Sequence, residues 1–128
     1  MTEAPQVPSV SRLLDQPRVD AYAEAARDHN AVHLDPQFAQ ASGFEGTIAH
    51  GMLVLALVSE AMVRAFGRRW AERGTLKVRW RAPALLPLTV TARAALKSEA
   101  DGLATYDVTC EDDRGTVLLT GTASAPYR

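Results

Sequence analysis

The chain has 128 residues, 47% apolar and 23% charged, with a formal net charge of −1. That is enough for one domain with its own core, without the basic excess of an electrostatic nucleic-acid binder. The single cysteine, Cys110, excludes an intrachain disulfide and suits a cytoplasmic location; the proline-containing start has no signal pattern, and the longest apolar run, Met52 to Val58, is too short to span a bilayer.

Residues 1–8 are expected to form a loose lead-in to one domain over 9–128. Val10 to Leu14 predicts an edge strand. Asp15 ahead of Pro17 marks a helix start, and the alanines of DAYAEAAR carry the helix to about Arg27. DHNAVHLDP follows as a polar loop, and Asp35-Pro36 opens a short helical turn through PQFAQAS. Met52 to Phe66 is apolar on nearly every face, broken by Ser59, Glu60 and Arg64, as in a buried helix; Gly67 stands where its C-terminal cap belongs.

The period then changes to two. Leu76, Val78 and Trp80 alternate with Lys77, Arg79 and Arg81, a half-buried strand. Pro83 and Pro87 bracket a bend, and Leu88, Val90, Ala92, Ala94 and Leu96 resume the alternation. Asp101-Gly102 signals a hairpin. Tyr106, Val108 and Cys110 mark the next strand, Asp113-Arg114-Gly115 turns the chain, and a last strand covers about Thr116 to Ala123. Helices first and an antiparallel meander after them is an α+β order.

Two segments carry candidate chemistry. Asp28-His29-Asn30-Ala31-Val32-His33-Leu34-Asp35 gathers two histidines, two acids and an amide in one loop. A carboxylate and an imidazole over one water can serve as base and acid near neutral pH; the plainer reading is a polar loop ending in a helix cap. In Ile48-Ala49-His50-Gly51-Met52-Leu53, a glycine opens the buried helix. There the free N–H groups and the positive helix end can receive a developing oxyanion; the plainer reading is a tight helix entry.

Together the two segments resemble the MaoC-like dehydratases, which include (R)-specific enoyl-CoA hydratases and (R)-3-hydroxyacyl dehydratases. Asp28, Asn30, Val32, His33 and Asp35 match the hydratase motif, Phe38-Ala39 its continuation, and His50-Gly51-Met52 the stretch that opens the central helix. The resemblance runs from about Tyr22 to Ser59. It implies a single hot-dog fold: a long buried helix wrapped by an antiparallel sheet, with the hydratase loop added before the helix. It implies that Asp28 and His33 activate water, that Ser59 supports the catalytic acid, and that the Gly51 N–H holds the thioester oxygen. Asn30, His50 and Met52 are the remaining candidate contacts in the oxyanion and substrate region. It further implies an acyl-CoA or acyl-carrier-protein thioester as substrate, a homodimer, and no cofactor. Arg27 and Ala31 depart from the family's glycine and proline; Arg27, if close, would favour the charged form of Asp28.

Other residues have weaker claims. No set of His, Asp and Cys has zinc-ligand spacing, so no metal is expected. His29 reads as a polar pocket neighbour, and Cys110 as a buried thiol. Arg68, Arg69 and Trp70 are either phosphate contacts or a solvated basic loop. Glu60 raises the possibility of a hot-dog thioesterase with a helical acid. The same residues also suit a subunit of a heterodimeric dehydratase, or a non-catalytic acyl-CoA-binding module.

Overall fold

The computed structural model describes residues 3–128. Five strands form one antiparallel sheet in the order β1-β3-β4-β5-β2, with β1 at Val10–Leu14, β2 at Thr75–Trp80, β3 at Leu88–Ala100, β4 at Leu103–Asp112 and β5 at Val117–Pro126. The helices are α1 (Gln16–Ala26), α2 (Pro36–Ala41), α3 (Gly51–Phe66) and α4 (Arg68–Arg73), with a 3-10 turn at Ala31–His33. This is the hot-dog arrangement: α3 lies along one face of a meander that curls around it.

The alternation sets the inner face. Val90 and Ala92 of β3, Ala104, Tyr106, Val108 and Cys110 of β4, and Leu119, Ala123 and Ala125 of β5 are buried against Val54, Leu57, Val58, Ala61 and Met62 of α3. Burial pushes the Cys110 thiol up to about 12, and its Sγ contacts the Val54 carbonyl at 3.7 Å, so it is a core thiol. At the β3–β4 hairpin Asp101 and Gly102 have φ of 55° and 79°, the paired positive φ of a tight two-residue turn.

Three expectations need correction. Strands β3 and β5 run further than their alternation indicated, because edge residues past the apolar core still pair in the ladder. Of the expected loose lead-in, residues 1–2 lie outside the described residues, while Ala4 and Val7 pack on the core and the Pro5 carbonyl accepts a hydrogen bond from the buried Tyr106 hydroxyl. Trp80 faces the helix side, paired with Leu119, yet is 51% exposed. It sits at the end of an edge strand, where the sheet outruns the helix that covers it.

Candidate active site

Local capping places Asp28. Asp15 caps α1 by accepting from the Arg18 N–H at 3.1 Å. At the other end Arg27 takes φ 54°, ψ 42°, and the Asp28 N–H bonds back to the Ala23 carbonyl at 3.0 Å. This is the six-to-one closure that ends helices, with a left-handed residue usually filled by glycine. Arg27 holds that conformation at a cost of about 1 kcal/mol. It is absent from the ion pairs of the described residues, so its guanidinium forms no bridge to Asp28.

The loop then tightens around its own polar groups. The Asn30 N–H donates to Asp28 Oδ1 at 3.3 Å, and Asn30 Oδ1 accepts from the Val32 N–H at 3.1 Å. Asn30 therefore shapes the 3-10 turn, and its side-chain oxygen is spent there and not on a substrate. Ala31 occupies the first position of that turn, where proline fits equally well. The turn is tied to the chain before α3: the Ile48 N–H donates to the Val32 carbonyl at 3.2 Å, and His33 Nδ1 donates to the Ile48 carbonyl at 2.8 Å.

His50, the residue before α3, is 2% exposed. Its Nε2 donates to the Asp28 carbonyl at 3.0 Å. Its ring stacks on His33 with centroids 3.7 Å apart and planes 24° apart, and it meets Tyr22 at 4.9 Å. Its Nδ1 is the one buried side-chain polar atom without a hydrogen-bond partner among the described residues. One oxygen of Asp28 and one nitrogen each of His33 and His50 lie within 4.8 Å of one another. The near-parallel stacking opposes chelation: an ion 2.0–2.1 Å from both nitrogens, the approximate zinc distance, would stand far out of both ring planes.

Because each histidine bonds a carbonyl, which only accepts, the tautomers follow. His33 carries its proton on Nδ1, and its neutral ring presents a bare Nε2. Beside this pair α3 begins at Gly51 with no side chain capping its N-terminus, so its first N–H groups and positive end remain available. A Cβ on Gly51 would fall 2.6 Å from Trp80 Nε1; glycine is what lets the indole lie across the helix entrance. Next to it is a cavity of about 390 Å³ lined by His33, Ile48, Gly51, Val54, Trp80 and Leu118.

The candidates do not all converge. Asp28, His33, His50 and Gly51 do. Met52 is 55% exposed and is not part of this cavity's lining. Ser59 lies eight residues into α3, about 12 Å along its axis from Gly51, and its Oγ accepts from Trp70 Nε1 at 2.8 Å; within one chain it supports Trp70 and not Asp28. His29 pairs with Glu24 at 2.7 Å on the surface. Trp70 is buried and Arg68 pairs with Glu72 at 2.5 Å, both at the far end of α3. Glu60 is held by Arg12 and by Arg64. Trp80 was missed as a site residue: strand alternation gave its face, but its place over Gly51 depends on where β2 ends.

The family model described as a MaoC like domain matches residues 2–116. The chain is 36% identical over 92 residues to 3-hydroxyacyl-thioester dehydratase Z of Mycobacterium tuberculosis, an alignment covering 69% of this chain and 61% of that protein. It therefore spans about three fifths of that relative's length. To the (R)-specific enoyl-CoA hydratase of Aeromonas caviae it is 28% identical over 127 residues, covering 94% of this chain and 92% of that one. The solved structure of the (R)-hydratase from A. caviae involved in PHA biosynthesis superposes with a TM-score of 0.82 at 26% identity, covering 98% and 97% of the two chains. With the family model spanning residues 2–116, the chain belongs to the MaoC-like domain family.

Proposed function

We propose that the protein is a hydratase or dehydratase that adds water to, or removes it from, an α,β-unsaturated acyl thioester, with an (R)-3-hydroxyacyl thioester on the hydrated side. The observation that carries this is the meeting of an Asp28 oxygen and a His33 nitrogen beside the uncapped start of α3. The names of the two relatives above point the same way.

In the forward direction the Gly51 N–H receives the thioester oxygen, drawing electron density out of the double bond. Asp28 accepts one O–H of the water and orients it. His33 Nε2 takes the other proton as the water oxygen bonds to C3. The C2=C3 electron pair shifts to C2 and the thioester, and the imidazolium returns that proton to C2. Atoms balance: the hydroxyl stays on C3, the hydrogen ends on C2, and His33 is regenerated. Dehydration is the reverse.

The thioesterase reading loses its acid, because two arginines hold Glu60 away from the start of α3. We also propose a homodimer. Met52 and Trp80 are large, apolar and more than half exposed, and β2 has one neighbour, leaving an unpaired edge that a second copy can cover.

The test follows loss of the enoyl chromophore of a trans-2-enoyl-CoA. Asp28→Asn and His33→Ala are each expected to lower kcat about 10²- to 10⁴-fold with the fold intact by circular dichroism. Near wild-type turnover in both variants would show that the reaction lies elsewhere.

A further inference from the structure

We propose that the outer face of β2 is a polyanion site that binds the phosphate groups of a coenzyme A thioester, an assignment that rests on the thioester-hydratase reading. Lys77 and Arg79 alternate with the helix-facing Leu76, Val78 and Trp80, so they project together from the other face of the sheet, beside Thr122 and Thr120 in register. Arg81 follows directly and continues the row. The three cations, with Thr120 and Thr122, line a groove of about 360 Å³.

Two features mark this row. First, its charges are unspent and gathered. None of Lys77, Arg79 and Arg81 takes part in an ion pair among the described residues; Arg18, Arg27, Arg69, Arg73, Arg114 and Arg128 are also unpaired, but these three line one groove. Arg81 instead donates through Nε to the Thr120 hydroxyl at 2.9 Å. That bond anchors the guanidinium and leaves its other N–H donors free for an anion. No carboxylate lines the groove.

Second, the groove adjoins the reaction cavity. Arg81 lines both this groove and the cavity that contains His33 and Gly51. A thioester whose acyl end lies at His33 must carry its pantetheine arm out past some part of the rim. Arg81 marks a rim position where a row of unpaired cations and hydroxyls begins. The diphosphate and 3′-phosphate of coenzyme A supply the charge that such a row neutralises, through charge-assisted hydrogen bonds.

The experiment compares the same trans-2-enoyl group on coenzyme A and on pantetheine, which lacks the phosphates, with wild type and with the double variant Lys77→Ala/Arg79→Ala. These surface side chains leave the core and the acid–base pair untouched. The wild type is expected to have a KM about ten-fold lower for the coenzyme A thioester at low salt, an advantage that shrinks as ionic strength rises. The double variant is expected to lose most of that advantage while its pantetheine KM and its kcat stay unchanged. Equal KM values for the two thioesters in wild type, or a variant that weakens both alike, would overturn the proposal. So would a lower KM for the acyl-carrier-protein thioester that depends on the same two residues. Calorimetric titration with adenosine 3′,5′-bisphosphate tests the groove without turnover. Binding by wild type that the double variant loses supports the site even if neither thioester is hydrated, and equal binding by both proteins overturns it.

Discussion

His50 shows how a residue outside the proposed reacting pair can decide its geometry. Its Nε2 holds the backbone of Asp28 and its ring holds the plane of His33, so one side chain fixes both partners across a sequence gap. Two substitutions separate these contacts. Phenylalanine keeps an aromatic face for His33 and loses the donor; glutamine keeps a donor near the Nε2 position and loses the stack. Misplacing a reacting group by about 1 Å can cost 10²-fold, so His50→Phe and His50→Gln are each expected to lower kcat about 10- to 100-fold. KM should change little, since His50 itself does not line the cavity. A variant that melts lower but keeps full kcat per folded molecule would reduce His50 to a packing residue. The same scale explains Arg27: the backbone demands φ 54° there, which glycine meets freely and arginine meets at a small energetic cost.

At the scale of elements, local signals were the legible ones. Asp28, His33 and Gly51 sit in short segments marked by caps and turns, and the resemblance of those two segments to the MaoC-like dehydratases implied that they act together. Long-range placement was not legible. The eight-residue spacing from Gly51 to Ser59 brings a helix back to about the same side, but it says nothing of height, and height puts Ser59 beside Trp70. Likewise the period-two pattern of β2 gave the face of Trp80 but not its exposure, which depends on how far α3 extends beneath an edge strand. Ser59→Ala is therefore expected to act mainly on stability. It leaves the indole N–H of a buried Trp70 without its acceptor, a loss of about 1–3 kcal/mol, read as a lower midpoint in urea. Its kcat should stay far above that of Asp28→Asn; a larger loss than the Asp28 change causes would return Ser59 to the reaction, by way of a second chain.

At the scale of the molecule, the α+β order was legible from the switch of period between Phe66 and Thr75 and the buried helix from its apolar faces, the wrapping of that helix was implied by the family resemblance, and the strand order required the pairing itself. The unpaired edge of β2 and the exposed Met52 and Trp80 give the monomer an apolar border next to its reaction cavity. Light scattering is expected to give twice the 13.8 kDa chain mass at micromolar concentration. A stable 13.8 kDa species would contradict the homodimer, and full activity restored by a different subunit would indicate a heterodimer instead.

The central claim is that water and proton reach one face of an enoyl thioester, held by the Gly51 N–H against the Asp28–His33 pair. That geometry has a stereochemical consequence. With the thioester oxygen fixed at the helix entrance, the enoyl plane presents a single face to His33 Nε2, and the product has one hand. The measurement is hydration of a trans-2-enoyl-CoA coupled in parallel to an (R)-specific and an (S)-specific 3-hydroxyacyl-CoA dehydrogenase. The account predicts signal in the (R)-specific coupling alone; signal confined to the (S)-specific coupling would contradict it.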